Sequence, residues 1–244
     1  MNADPVHVWL VDTDLPGPVL AVLAALLDPS ERERAAGLPD QPARARFVAA
    51  HGALRSIVGQ WLGAPPEQLR WQRGRHGKPE LTGRWTGAQV NLSHSGTLAM
   101  VAVTDRRPVG VDVQELAGVR LDPARLAERY FPGPEAESVA AAGGPARRAD
   151  RLARLWTRKE ACVKAAGGRL TQGLRLPVTG PPAPGAGRVV RDPAGPLPGP
   201  FLVRDVPAPD GFRAAVALAG VDRYRVLRHR WVAPPGSRGR ITRR

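Results

Sequence analysis

The sequence predicts a mixed α+β protein built from two halves. The order of its patterns is the first reason, since strand, helix and strand patterns follow one another before residue 108 and again after it. Length and composition are compatible with this, because 244 residues suffice for one large domain or two of about 120, and 43% hydrophobic residues can supply a sizeable core. We expect an N-terminal half at 1–107, a C-terminal half at 108–232 and a basic, disordered tail at 233–244. No sequence repeat relates the halves, so their similarity is inferred from element order alone.

The N-terminal half is expected to begin with a strand and continue with helices. Residues 6–11 are rich in β-branched and aromatic types, which favours a strand. Asp28 followed by a proline is typical of a capped helix start. From 42 to 62 apolar residues recur at spacings of three and four, which predicts a long amphipathic helix. Arg46 and Arg55 lie outside that series, so a solvated face is the ordinary expectation for both.

The same half should end in strands joined by turns. Residues 69–73 alternate like a half-buried strand, 74–80 resemble a turn, and 98–103 form an apolar strand pattern. Small hydroxyl side chains, a histidine and a glycine at 90–96 predict an anion-binding turn between two strands, although this signal is weak alone. His94 by itself is more typical of a loop histidine than of a ligand.

Residues 109–114 begin the C-terminal half with a strand pattern. Alternation sends the three valines to the core and places Gly110, Asp112 and Gln114 on the opposite face. A carboxylate beside a position without a side chain suits a metal ion with phosphate close to the backbone. An ordinary strand with a solvated aspartate is equally compatible with the pattern.

Helices and closing strands are expected to follow. Residues 122–131 and 134–142 predict helices, the first capped by Asp122, and Pro145 is expected to begin a longer one. Between 177 and 200, 13 of 24 residues are glycine or proline, which indicates a loop or a ragged sheet edge. Closing strands are predicted at 201–206, 212–218 and 224–231.

The helix that begins at Pro145 carries an unusual set of charges. Lys159 shares an arc with Leu155 and Trp156, so its ammonium would be buried and would need an anionic partner. Glu160 and Lys164 form an i,i+4 pair at the edge of this arc. A carboxylate between two ammonium groups suits a metal ion together with phosphate.

Lysine is scarce in this chain, since only Lys78, Lys159 and Lys164 are lysines among 36 basic side chains. An ammonium binds phosphate as a point charge, whereas a guanidinium presents a planar fork. Lysine in an arginine-rich chain therefore indicates a site that requires it, with chance clustering as the alternative.

The net charge of +14 predicts attraction to polyanions, which include nucleic acid, a membrane surface, a phosphorylated cofactor and acidic proteins. Nucleic acid is disfavoured, because basic residues are dispersed and only two Tyr and four Phe are present for base stacking. The longest apolar run, 19–27, is too short to span a bilayer, and no signal peptide is visible, so we expect a cytoplasmic protein without a membrane partner. Cys162 is the single cysteine and should pack as a small apolar residue.

Four short segments carry a family resemblance: Gly-Lys-Pro at 77–79, Asn-Leu-Ser-His-Ser at 91–95, Val-Gly-Val-Asp at 109–112 and Trp-Thr-Arg-Lys-Glu-Ala-Cys-Val-Lys at 156–164. In order and approximate spacing they resemble the motifs of 4′-phosphopantetheinyl transferases, most closely the two-halved, Sfp-like class. The resemblance implies a monomer of two pseudo-symmetric α+β halves with coenzyme A in the cleft between them. It also implies Mg²⁺-dependent transfer of the phosphopantetheine arm to a serine of an acyl or peptidyl carrier protein, with release of adenosine 3′,5′-bisphosphate.

The resemblance further implies residue roles. Asp112 and Glu160 would hold Mg²⁺, Glu160 would be the base for the carrier serine, and Lys164 would contact phosphate. Gln114 stands where many relatives have a second acid, so a neutral amide oxygen or a water would complete the metal ligands, because Glu115 points away unless the strand bulges. The implied coenzyme A site comprises Arg34, which would reach the 3′-phosphate, Arg46 beside the nucleotide, and Lys78, Pro79, Ser93, His94, Asp112, Lys159, Glu160 and Lys164.

A non-catalytic basic module that binds nucleic acid or acidic proteins is the alternative function. Such a module would use the arginines, but it would not require Asp112, Glu160 or the three lysines.

Overall fold

The computed structural model describes residues 3–117, 121–180, 182–183, 187–192 and 195–233. Within these ranges the protein is a mixed α+β fold with seven α-helices and eleven strands, as expected. The helices are α1 (Gly17–Leu26), α2 (Pro29–Ala36), α3 (Gln41–Leu62), α4 (Pro123–Tyr130), α5 (Gly133–Ala140), α6 (Pro145–Ala166) and α7 (Leu170–Gly173). The strands are β1 (Asp4–Asp12), β2 (Trp71–Arg73), β3 (Pro79–Leu81), β4 (Gln89–Ser95), β5 (Leu98–Thr104), β6 (Val109–Glu115), β7 (Pro182–Ala183), β8 (Gly187–Val190), β9 (Phe201–Val206), β10 (Phe212–Ala219) and β11 (Tyr224–Arg230).

The strands form two main sheets and one short ribbon. The first sheet has the order β11-β1-β5-β4, the second has the order β6-β10-β9-β8-β7, and β2 pairs with β3. Strand β11 runs parallel to β1, with Tyr224 opposite Asp4 and Arg230 opposite Leu10. The last described strand, expected in the C-terminal half, therefore belongs to the sheet that residues 4–104 otherwise form.

Helix α3, the first sheet, the second sheet and helix α6 lie in successive layers. One apolar cluster joins α3 residues such as Leu54 to first-sheet residues such as Val101. A second cluster joins the two sheets, and a third joins the second sheet to α4, α5 and α6. Small side chains at Ala215 and Ala217 face α6, which allows this helix to pack close to the sheet.

Local sequence signals gave the correct helix ends. Asp28 caps α2 and, with Glu31, forms a capping box, and Asp122 caps α4. Helix α6 begins at Pro145 and ends at Ala166, and its C-cap Gly167 has a φ of 65°, in the left-handed region that favours glycine.

Some expected loops are more ordered than predicted. Residues 79 and 80, expected in the turn at 74–80, belong to strand β3. Val190 and Leu197 lie in the apolar core although glycine and proline dominate 177–200. The expected disordered tail lies outside the described residues after Ala233. In the described part of the chain, none of the helices combines the length and apolar character that a bilayer span requires.

Candidate active site between strand β6 and helix α6

Helix α6 crosses strand β6 directly over Gly110. A Cβ atom at this position would overlap the carbonyl oxygen of Ala161 and the amide nitrogen of Ala165. The absent side chain therefore makes room for a helix backbone, and the expectation that it makes room for phosphate is wrong. This close crossing brings Lys164 on α6 next to Asp112 on β6.

Polar side chains of β4 bind the neighbouring strand β6. The backbone N–H groups of Val111 and Glu115 donate to side-chain oxygens of Asn91 and Ser95 at 2.8 and 3.0 Å. The two strands belong to different sheets, so these bonds satisfy backbone groups that no strand partner reaches. The prediction of an anion-binding turn at 90–96 is therefore wrong for most of the segment, because 89–95 form a strand.

Asp112, Ser93 and Lys164 form a partly buried hydrogen-bonded cluster. The Lys164 ammonium donates to Asp112 Oδ1 at 2.6 Å and to Ser93 Oγ at 2.9 Å. The Ser93 hydroxyl donates to the same Asp112 oxygen at 2.7 Å. Asp112 is 5% exposed, so the alternative of a solvated aspartate is wrong.

Asp112 retains one carboxylate oxygen without a partner. Its Oδ2 atom is buried and accepts no hydrogen bond within the described ranges. Burying such an acceptor is costly, so the site favours a ligand that supplies positive charge there. Burial raises the pKa of the Glu160 carboxyl group, the charge of Lys164 opposes this change, and the charge of Asp112 adds to it. Glu160 therefore lies close enough to Lys164 and Asp112 to interact with both electrostatically.

The predicted metal ligands share this region. The Gln114 amide nitrogen donates to the carbonyl oxygen of Glu115 at 3.1 Å. Strand β6 pairs regularly with β10 up to Glu115, so no bulge redirects the Glu115 side chain. No group of three His, Cys, Asp or Glu residues suited to a metal occurs in the part of the chain that the structure describes. Asp112 and Glu160 nevertheless fit Mg²⁺, which is commonly held by one or two carboxylates while phosphates and water complete its ligands.

A basic cavity of about 440 Å³ lies near this cluster, since its lining residue His94 follows Ser93 on β4 and interacts electrostatically with Lys164 and Asp112. Arg34, Arg46 and His94 line it together with Phe47, and the Arg34 guanidinium lies 5.1 Å from the Phe47 ring centroid. His94 is on strand β4 rather than in a loop. Desolvation by the surrounding protein lowers the pKa of the His94 imidazole, and nearby basic groups, including Lys164, lower this pKa further. The fold thus brings together three basic residues that are far apart in the sequence.

Comparison with known proteins gives the family. A family model described as the 4′-phosphopantetheinyl transferase superfamily matches residues 108–192. The 4′-phosphopantetheinyl transferase HetI of Nostoc sp. is 38% identical over 168 residues, which cover 68% of this chain and 70% of that protein. The chain belongs to the 4′-phosphopantetheinyl transferase family. A putative 4′-phosphopantetheinyl transferase of Synechocystis sp., slr0495, is 31% identical over 69% of this chain and 67% of its own length. The transferase AcpT of Escherichia coli is 34% identical over 64% of this chain and 73% of its own length.

Lys159 of the transferase lies outside the candidate site. Its ammonium forms an ion pair with Glu135 Oε2 at 2.6 Å and donates to the carbonyl oxygen of Leu176. Lys159 and Glu135 are each 1% exposed. The expected anionic partner is therefore a protein carboxylate, and the assignment of Lys159 to the coenzyme A site is wrong.

Lys78 connects the β2–β3 ribbon of the transferase to the elements of the site. Its ammonium donates to the carbonyl oxygens of Val109 at 2.9 Å and Lys164 at 3.0 Å. Burial lowers the pKa of Lys78 to about 8, and Glu80 opposes this change. Two of the three N–H donors of the Lys78 ammonium are thus engaged with the backbone. The next residue, Pro79, lines a second cavity of about 120 Å³, which Arg34 also lines.

Sequence reasoning missed the role of Arg55. This residue is 3% exposed and forms ion pairs with Asp28 and Glu31, so the expected solvated face is wrong for it. Arg46 is exposed. The sequence contains a sign of this burial. Phe47, His51 and Arg55 are each four residues apart, and this spacing places all three on one buried face of α3.

Proposed function

We propose that this enzyme transfers the 4′-phosphopantetheine arm of coenzyme A to a serine of an acyl or peptidyl carrier protein, with Mg²⁺, and releases adenosine 3′,5′-bisphosphate. One observation carries the proposal: Asp112, with an unpartnered buried oxygen, meets Glu160 and Lys164 beside a basic cavity. Membership of a transferase family disfavours the alternative of a non-catalytic basic module.

Coenzyme A would lie along the junction of the two expected halves. Strand β4 of the first half contributes Ser93 and His94, whereas β6 and α6 of the second half contribute Asp112, Glu160 and Lys164. The pyrophosphate is placed by this proposal at Lys164 and the two carboxylates. The nucleotide end then occupies the cavity next to His94, where basic side chains compensate its charge.

Asp112 and Glu160 would hold Mg²⁺, with Gln114 or water as an auxiliary ligand. When bound, Mg²⁺ would stabilise the negative charge that develops on the pyrophosphate. The carrier serine oxygen forms a bond to the phosphorus that bears the pantetheine arm, while the bond from that phosphorus to the bisphosphate oxygen breaks. Glu160 would accept the serine proton as the general base.

The test is the rate of carrier modification as a function of Mg²⁺ concentration. Asp112→Ala and Glu160→Ala should each abolish nearly all turnover. Each removes a carboxylate from a site where bound Mg²⁺ would stabilise the charged transition state by several kcal/mol. Gln114→Ala should have a much smaller effect, and Gln114→Glu should lower the Mg²⁺ concentration that gives half the maximal rate.

Glu137→Ala is the matched control, since Glu137 is an exposed carboxylate on α5. It should retain the wild-type rate. The ligand assignment is contradicted if Gln114→Ala is as inactive as Asp112→Ala, or if Gln114→Glu leaves the metal requirement unchanged.

A further inference from the structure

A partly buried cluster of charged residues lies at the first turn of helix α2. Arg55 of α3 donates from Nε to Glu31 Oε2 at 2.7 Å and from Nη2 to Asp28 Oδ2 at 2.5 Å. His51, one turn earlier on α3, has Nδ1 at 2.9 Å from the other Glu31 oxygen. Asp28 and Glu31 also form the capping box of α2, so a single guanidinium holds both residues that define where this helix begins.

Helix α2 has little else to hold it. It has eight residues, and Ala35 is its single buried residue. A helix this short is marginal alone, and one buried alanine contributes little apolar area. A guanidinium that binds two carboxylates fixes direction as well as distance, because its N–H groups form a rigid planar fork. The Arg55 contacts, together with the contact of His51 with Glu31, therefore hold the first turn of α2 against α3.

Helix α2 carries Arg34, which makes no salt bridge within the described ranges, although Glu31 and Asp28 lie near enough to attract its charge. Arg34 and Arg73 both line the cavity of about 120 Å³, and neither forms an ion pair in the described part of the chain. Partial burial lowers the pKa of Arg34, and the charge of Arg73 lowers it further. The carboxylates nearest to them are already engaged by Arg55. Asp28 and Glu31 line the same cavity, but Arg55 offsets their charge, so an anion between Arg34 and Arg73 relieves the repulsion of these two like charges.

We propose that Arg55 is a positioning residue for phosphate recognition: by fixing α2 it holds Arg34 where Arg34 and Arg73 together bind one phosphate group of the substrate. The inference rests on the proposed function and deepens it. The family resemblance already implies that Arg34 reaches the 3′-phosphate of the ribose, and the inference adds Arg73 as a second contact and Arg55 as the residue that positions α2.

Arg55→Lys tests the inference, because it keeps the charge but cannot maintain both contacts. Loss of a charge-assisted hydrogen bond from the network should raise the KM for coenzyme A by about tenfold or more, with little change in kcat. The KM for 3′-dephospho-coenzyme A should stay at its wild-type value, because that substrate lacks the ribose phosphate. A residue that only stabilised the fold would change both substrates alike.

Arg107→Lys is the matched control, since Arg107 is a partly buried arginine that binds Asp4 and two carbonyl oxygens. It should leave the ratio of the two KM values unchanged. Thermal unfolding of each variant gives the temperature below which all are folded. Asp28→Asn keeps a capping side chain while it removes one charged partner of Arg55, so it provides a second, milder variant that should change the same ratio in the same direction.

Calorimetry without metal separates the inference from the proposed function. Wild-type protein should bind adenosine 3′,5′-bisphosphate more tightly than adenosine 5′-monophosphate, and Arg55→Lys and Arg73→Met should each lose that preference. The inference is overturned if wild-type protein shows no preference, or if Arg55→Lys keeps the wild-type ratio in both assays. Absence of arm transfer by the wild type would instead overturn the proposed function, and the binding preference would still decide the role of Arg55.

Discussion

Replacing Lys159 by methionine should destabilise the enzyme without weakening coenzyme A binding. The Lys159 ammonium lies 2.6 Å from Glu135 Oε2, and burial lowers the pKa of this lysine although Glu135 opposes the change. Both side chains are 1% exposed. Removing one partner of a buried ion pair leaves an uncompensated charge, which costs about 3–5 kcal/mol.

The local geometry supports the upper part of that range. The other oxygen of Glu135 accepts from the backbone N–H groups of Val178 and Thr179 at 2.6 and 3.1 Å, so the carboxylate is held in place and cannot turn to solvent. The double variant Lys159→Met with Glu135→Gln removes both charges and keeps an oxygen that can accept from the two backbone N–H groups. It should recover part of the loss, because no uncompensated buried charge remains.

Urea unfolding followed by tryptophan fluorescence measures the free energy of unfolding, and the KM for coenzyme A is measured well below the unfolding temperature. Lys164→Met is the contrasting variant, because the Lys164 side chain is 26% exposed and contacts Asp112 in the candidate site. It should reduce transfer activity far more than stability. The reasoning is refuted if Lys159→Met is within about 1 kcal/mol of wild type while its KM rises, or if the double variant is no more stable than the single one.

Three further outcomes follow from the contacts around the site. The pKa of Lys78 is about 8 in the folded protein and 10.5 in the unfolded chain, so the folded state binds this proton more weakly. The unfolding free energy of wild type relative to Lys78→Met should therefore be constant below pH 8 and rise from pH 8 towards pH 10.5. The rise should be at most about 1.4 kcal/mol per pH unit, and parallel profiles for the two proteins would contradict it. Gly110→Ala should lose about 3 kcal/mol or more of stability in urea unfolding, because its methyl group overlaps the backbone of α6, whereas Gly133→Ala, with no atom within 4 Å of its added Cβ, should be near neutral. Cys162 is buried and burial raises the pKa of its thiol, so iodoacetamide should not modify the native protein, and rapid native alkylation seen by mass spectrometry would argue against this packing.

Signals within one element predicted the structure well. The cap at Asp28, the start of α6 at Pro145 and its C-cap at Gly167 depend on neighbouring backbone groups, so the sequence contains the whole cause. The period of two in β6 likewise placed Asp112 on the face opposite the valines, which is the face that meets α6.

Partners that are distant in the chain could not be predicted in the same way. The burial of Lys159 implied an anion, but the pattern could not decide between a phosphate and the carboxylate of Glu135 on another helix. The sequence predicted an anion as the partner of Asn91 and Ser95. Their partners are backbone N–H groups of β6, which become neighbours of these side chains only in the folded chain. Their alternation was the overlooked sign of a strand.

The pairing of β11 with β1 is a further long-range contact. The residues at 224–230 predict a strand by type, and nothing local specifies its partner. Element order alone therefore could not indicate that this last strand joins the first sheet.

Intact mass spectrometry of a carrier protein tests the central claim most directly. A panel of apo acyl and peptidyl carrier domains is incubated with the enzyme, coenzyme A and Mg²⁺, and adenosine 3′,5′-bisphosphate is quantified in parallel. We expect at least one carrier to gain the mass of one phosphopantetheine arm, with one bisphosphate released per arm, and we expect Asp112→Ala to abolish both. The account is contradicted if every carrier keeps its apo mass, or if Asp112→Ala modifies the carrier at the wild-type rate.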